Sequence, residues 1–228
     1  MKRVLFGSVA SIALAVCGPA AASDAPIPAP TYKASVAVAV SPWAGSYIGL
    51  QGGYGWGRSS HTFTGFDSGS FDVDGGIGGI TTGYNWQSGT LVYGYESDTS
   101  YTSLDGSKAC TTNCFTELHW LSNYRLRAGQ VWNQYLLYVT GGLAVGTVKA
   151  GDGGASDTKT RFGWNAGAGI EAVIAPKWTA KLEYLYVDLG SKKNYSLPPA
   201  TDVSFQGHIV RVGVNYQFSI WDWLMQRR

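Results

Sequence analysis

The sequence predicts an all-β fold, an eight-stranded antiparallel up-and-down transmembrane β-barrel, and three observations predict it. The first is the stretch His208–Phe218, HIVRVGVNYQF, where Val210, Val212, Val214, Tyr216 and Phe218 alternate with Arg211, Gly213, Asn215 and Gln217. Apolar residues that return every second position mark a strand, whereas a helix would repeat them every three or four, and the length suits a tilted strand crossing a bilayer. The second is that eight such segments are joined by connections that are alternately long and short. The third is that the charged residues inside the segments lie opposite the apolar face, so the greasy side has to point outward.

Composition agrees with a strand-rich chain. The 228 residues include 31 glycines, and aromatic and charged residues each make up 14%, against an average of about 7% glycine and about 25% charged residues. Glycine at this frequency suits close-packed strands and turns rather than helices. Without Lys2 and Arg3, which fall in the signal segment described next, the 17 basic residues become 15 against 15 acidic ones. A neutral chain has no electrostatic footprint for nucleic acid.

Residues 1–22 read as a secretory signal: Lys2 and Arg3, an apolar run from Val4 to Val16, and Ala20-Ala21-Ala22 as a small-residue cleavage site. The run is too short for a transmembrane helix. A lipoprotein signal on Leu14-Ala15-Val16-Cys17 is disfavoured by the valine before the cysteine. Residues 23–44, with DAPIPAP and a closing Pro42, read as a Pro/Ala-rich periplasmic tether. Once Cys17 leaves with the signal, Cys110 and Cys114 are expected to close a small disulfide loop, as exported thiols do. A metal site shared with His119 is the alternative, and it lacks a fourth ligand.

The barrel is expected over 45–218, in eight segments: Tyr47–Trp56, Gly75–Trp86, Leu91–Tyr101, Trp120–Val131, Leu136–Val148, Phe162–Ile174, Trp178–Leu189 and Gly207–Phe218. Gly57–Asp74, Thr102–His119, Lys149–Arg161 and Gly190–Gln206 read as four long polar external loops. Gln87–Thr90, Trp132–Tyr135 and Ala175–Lys177 read as short periplasmic turns. Such asymmetry and an even strand count are features of outer-membrane barrels.

Tryptophans sit at segment ends. Trp56, Trp120 and Trp164 mark the long-loop end, while Trp86, Trp132 and Trp178 mark the short-turn end together with Trp43, Trp221 and Trp223. On the apolar parity they form two interface belts. On the opposite parity lie Glu96, Asp98, Arg125, Arg127, Glu171, Lys181, Glu183 and Arg211. Four acids and four bases on one face make a balanced lumen network, with Glu96 and Asp98 meeting Arg125 and Arg127, and Glu171 meeting Lys181, across neighbouring strands. Gly49, Gly53, Gly142, Gly146, Gly167 and Gly169 share that parity and leave room for long charged side chains.

Taken together, YIGLQGGYGWG, GYNWQSGTLVYGYESD, YRLRAGQVW, YVTGGLAVG, WNAGAGIEAVIAPKWTAKLEYLYVDLG and HIVRVGVNYQF resemble the small OmpA-like outer-membrane barrels of alphaproteobacteria. These are the RopB-type surface proteins, which include haemin-binding relatives. The resemblance spans Tyr47 to Phe218 and is most specific in WTAKLEYLYVDLG. It implies an eight-stranded barrel in the cell outer membrane with an envelope and surface role, inserted by the outer-membrane assembly machinery. Two features depart from the family: the 219–228 extension, SIWDWLMQRR, follows the terminal Phe218, and the Cys110/Cys114 loop is not general. The extension's Trp221, Trp223 and Leu224 are expected at the periplasmic interface.

Three functions compete on these residues. The leading one is a structural envelope barrel that meets membrane lipids and lipopolysaccharide on its wall and an external ligand at its loops. A small porin-like channel is the second, although eight strands leave an interior just filled by side chains. Haem binding at the surface is the third, with His61 and His119 as the imidazoles and Tyr101 and Tyr195 assisting; otherwise no cofactor is expected. No catalytic site is expected, because His208 faces outward and Ser204 beside it lacks an orienting third group. No phosphate loop, paired-cysteine metal motif or dinucleotide fingerprint occurs.

Overall fold

The computed structural model describes residues 43–63, 66–109, 114–151, 156–195 and 201–218. The signal segment, nearly all of the tether, Cys110 and the 219–228 extension with Trp221 and Trp223 lie outside the described residues. Eight strands follow one another: β1 (Gly45–Phe63), β2 (Phe66–Ser88), β3 (Leu91–Lys108), β4 (Cys114–Trp132), β5 (Tyr135–Gly151), β6 (Ser156–Ala175), β7 (Trp178–Tyr195) and β8 (Thr201–Phe218). Each pairs antiparallel with its sequence neighbour, and β1 closes on β8 with Leu50 opposite Val214 and Gly53 opposite Arg211. Closure leaves no unpaired edge, which a lipid-embedded sheet requires.

At one end the strands are joined by two-residue turns, Gly89–Thr90, Asn133–Gln134 and Pro176–Lys177. Each contains one residue in the left-handed region: Gly89 at φ 60°, Asn133 at φ 54° and Lys177 at φ 66°. Glycine and asparagine adopt this conformation readily, and lysine does so at a cost.

The other end departs from the expectation of long loops. β1 runs on to Phe63 and β2 resumes at Phe66, and β3, β4, β5, β6, β7 and β8 likewise occupy most of the stretches read as loops. The cause lies in the environment of each face. Beyond the external tryptophans the outer face meets water and bears Arg58, Asp72, Asp74 and Asp105, while the inner face carries Val73, Leu104, Leu118, Val148, Leu189 and Phe205, all buried. The alternation persists with its polarity reversed, as in a soluble barrel.

Within the membrane span the opposite holds. On β8, Val212 is 59% exposed and its neighbour Arg211 1%. The lumen is therefore filled in three layers. An external, largely apolar layer holds Phe71, Val73, Leu104, Leu118 and their neighbours, with the buried Arg161 among them, the middle is charged, and a periplasmic layer holds Trp43, Val92, Val131, Leu136 and Tyr138.

Trp43 corrects both its assignment to the tether and its place in the periplasmic belt: it is 1% exposed inside the barrel, and its backbone N–H donates to Gln87 Oε1 at 2.8 Å. The indole packs with Val92, Val131, Leu136 and Tyr138 in the periplasmic layer, where burying its apolar surface is favourable. The inward glycines make room for more than charges. Gly53 and Gly142 lie against the backbone of Arg211 and Arg125, whereas Gly146 and Gly167 face leucines and Gly169 faces the Tyr138 ring, as Gly83 faces Tyr47.

Candidate functional site

The eight charges expected in the lumen are all buried in the middle layer, and a ninth, Arg161, which falls in a stretch read as a loop, is buried on the same face of β6 nearer the external end. Register places Glu96 opposite Arg125 on β3 and β4, and Glu183 opposite Arg211 on β7 and β8. Arg125 is shared by three carboxylates: its Nη2 contacts Glu96 and lies 2.9 Å from Asp98 Oδ2, and its Nη1 lies 2.8 Å from Glu183 Oε1. Arg211 reaches Asp98 Oδ1 at 3.0 Å and Glu183 Oε1 at 2.5 Å. Arg127 joins Glu171 at 2.7 Å to Glu96 at 3.5 Å.

One expected pair is replaced. Glu171 and Lys181 are register partners, yet Lys181 Nζ extends to Glu96 Oε2 at 2.9 Å. Glu171 instead accepts from Arg127, from Thr179 Oγ1 at 2.5 Å and from Asn215 Nδ2 at 2.8 Å. In so narrow a lumen a lysine reaches the far wall as easily as its neighbour, so adjacency along the sheet does not decide the partner.

Several members escape a search for charges alone. Tyr47 donates its hydroxyl to Glu96 Oε2 at 2.9 Å and accepts from Arg127 Nη1 at 3.2 Å, and Tyr138 donates to Glu183 Oε2 at 2.8 Å. The Arg127 guanidinium also lies 4.1 Å from the centre of the Tyr138 ring, within cation–π range. Asn123 donates to Asp98 at 3.0 Å, and Asn165 donates to Asn123 at 3.0 Å. Parity offered the signal, since Tyr47 is in step with Gly49, and Tyr138 with Gly142. Every strand but β2 contributes a side chain to the cluster, which ties opposite walls together and fills the cross-section.

Outside, Trp56, Trp86, Trp120, Trp132, Trp164 and Trp178 are all exposed on the outer wall. Trp86 stacks with Tyr93 at 5.8 Å and Trp178 lies 5.1 Å from Tyr216 at the short-turn end, while Trp164 meets Tyr186 at 5.3 Å at the other.

The remaining predicted positions are dispersed. Cys114 opens β4 and is disulfide-bonded. His119 lies within β4, not in a loop, where the register with β5 shifts between Leu118 and Trp120, and its Nε2 is 3.1 Å from Glu117 Oε2. His61 and Tyr195 fall in β1 and β7, and their side chains lie outside the described residues. Tyr101 is exposed on β3 opposite Trp120. Among the described residues no group of three or more His, Cys, Asp or Glu side chains is arranged to hold a metal ion.

The model of the outer membrane protein beta-barrel domain matches residues 9–218. The chain belongs to this outer-membrane β-barrel family. It is a Gram-negative outer-membrane protein, and its relatives within the family are close in length. The 31 kDa outer-membrane immunogenic protein of Brucella melitensis is 37% identical over 96% of this chain and 100% of its own length. The 22 kDa outer membrane protein of Rhizobium leguminosarum bv. viciae is 37% identical over 77% and 78%. The 25 kDa outer-membrane immunogenic protein of Brucella abortus is 33% identical over 96% and 99%. Among solved structures, the outer membrane protein OprG of Pseudomonas aeruginosa superposes with a TM-score of 0.52 at 14% identity, covering 77% of this chain and 97% of that one, a likeness of fold alone.

Proposed function

We propose that this outer-membrane protein is a non-catalytic structural barrel whose working surface is its outside: a wall solvated by membrane lipids and lipopolysaccharide, and a rim of hairpins offered to external ligands. The observation that supports this most is the three-layer lumen. A charged middle lies between a periplasmic apolar layer and an external layer that is apolar apart from Arg161 and a few hydroxyls, and apolar constrictions oppose conduction even where a polar segment exists. The charge cluster then acts as an internal brace, and the names of the relatives as outer-membrane immunogenic proteins agree with a surface role.

Planar-bilayer recording with the purified barrel is the test. A flat current is expected, and cells lacking the protein should become more sensitive to detergents. Resolved unit steps abolished by Glu96→Gln or Arg127→Gln would establish the small-channel reading instead.

A further inference from the structure

Two clefts lie on the outer wall, the upper across β2, β1, β8 and β7 and the lower across β1, β8, β7, β6 and the start of β5. At the external tryptophan level, Trp56 is opposite His208 and His208 opposite Tyr186. The Trp56 and His208 rings stack at 5.9 Å, and Tyr186 stands 5.3 Å from His208. The Tyr184 hydroxyl, 2.6 Å from His208 Nδ1, fixes the imidazole. One step further out, Arg58 lies between Gln206 on β8 and Asp72 on β2, with its Nε 3.7 Å from Asp72 Oδ1. Gln206 is oriented by donating to Asp188 Oδ2 at 3.2 Å. Between the aromatic floor and this polar rim is a cleft of about 610 Å³, inside the ~300–1,000 Å³ range of small-ligand sites.

The second cleft, also about 610 Å³, is lined by Leu50, Ile170, Leu182, Val212 and Val214. On β1 and β8 these residues lie toward the bilayer centre from Trp56 and His208. Tyr54 of the upper cleft and Gly52 of the lower are successive outward positions on β1, so an aromatic and hydrogen-bonding cleft at headgroup depth lies directly above an apolar one at acyl-chain depth.

The mixture of rim groups narrows the ligand. A phosphate would want donors alone and an ammonium acceptors alone, whereas here a guanidinium and an amide alternate with carboxylates. Hydroxyls that both donate and accept fit such a rim, and the C–H face of a sugar ring fits an indole floor.

We propose that the upper cleft holds the saccharide headgroup of an outer-leaflet glycolipid, with its acyl chains laid in the cleft below. This deepens the reading of the outer wall as the working surface and rests on it. The occupant is lipid-borne because the site lies on the membrane-facing wall at the interface, and the apolar cleft beneath it has no use for a free sugar.

The test uses the full-length barrel extracted from outer membranes in mild detergent, with bound glycolipid measured by sugar content and native mass spectrometry. Wild type and Trp120→Ala, which removes an external belt indole on a different part of the wall, should retain the same amount. Trp56→Ala should retain about tenfold less, the loss expected when a central aromatic anchor is truncated, and Gln206→Ala, which leaves the belt intact, should also retain less. All should keep heat-modifiable mobility. Equal retention by wild type, Trp56→Ala and Gln206→Ala would overturn the proposal. Tryptophan quenching by the deacylated headgroup as strong as by the intact glycolipid would overturn the lipid-borne occupant. Channel steps in planar bilayers would sink the structural reading without altering these retention values, so the two failures are distinguishable.

Discussion

Glu183 carries more of the lumen than any single register pair suggests. Its carboxylate accepts from Arg125, Arg211 and Tyr138, so removing it takes one partner from each of two buried guanidinium groups, which keep Glu96 and Asp98, and leaves the middle layer with one positive charge in excess. Breaking a buried ion pair from one side costs about 3–5 kcal/mol, because the remaining charge loses its compensation. Glu183→Ala is therefore expected to lower the urea midpoint of the barrel, followed as loss of the fast-migrating band in unboiled gels. The double variant Glu183→Ala/Arg211→Ala should lose less than the sum of the single losses, since the second change restores the balance of buried acids and bases that the first upset. Strict additivity would mean that the two side chains do not meet. At the same scale, hydroxyls on the membrane-facing wall satisfy one another: Thr99 Oγ1 and Ser122 Oγ, on adjacent strands, are 3.1 Å apart. A polar row can stand toward lipid on those terms.

Turns and hairpin ends are where the elements show how much the sequence disclosed. Strand number, antiparallel order and the three tight turns follow from alternation and from Gly89, Asn133 and Pro176-Lys177, all local signals. The outward parity of the six belt tryptophans and the inward parity of the eight charges are local signals as well. Strand length was not legible, because above the interface the greasy residues change sides, and a reading keyed to an apolar outer face stops at Trp56 and Trp120. The pairing of Lys181 with Glu96 was not legible either, since the partner stands across the lumen from it and not beside it on the sheet. Two outcomes belong to this scale. Lys177→Gly relieves a left-handed lysine and should stabilise the barrel by about 0.5–1 kcal/mol after the extra freedom glycine gives the unfolded chain is offset, read as a higher urea midpoint. Leu118→Ala empties part of the external apolar layer, where Leu118 is buried, and should raise amide exchange in the upper parts of β3, β4 and β5 while the membrane-spanning half stays protected. Exchange rising equally along the whole of β4 would show that the two halves are one cooperative unit.

At the scale of the whole molecule, strands of 17 to 23 residues are longer than a bilayer demands. Eighteen residues at about 3.3 Å each, tilted by about 40°, rise roughly 45 Å along the barrel axis. The apolar band of such barrels is only about 25 Å tall. Some 20 Å of closed sheet, by the same estimate, must therefore stand outside the membrane, and the reversed polarity of its faces places that part on the external side. β4 offers a direct measurement, since its outward row passes from Phe115 and Glu117, across the irregular step at His119, to Trp120, Ser122, Tyr124 and Leu126. Spin labels on single cysteines at Glu117 and Leu126, introduced after Cys110 and Cys114 are replaced by serine, should respond in opposite ways. The label at Glu117 should be relaxed by a water-soluble nickel chelate and ignored by dissolved oxygen in lipid, and the label at Leu126 should show the reverse. The crossover is expected between Glu117 and Ser122. Oxygen-dominated relaxation at Glu117 would put the apolar-cored upper barrel inside the bilayer, where Asp105 opposite Glu117 would face acyl chains, a placement that two adjacent carboxylates make untenable.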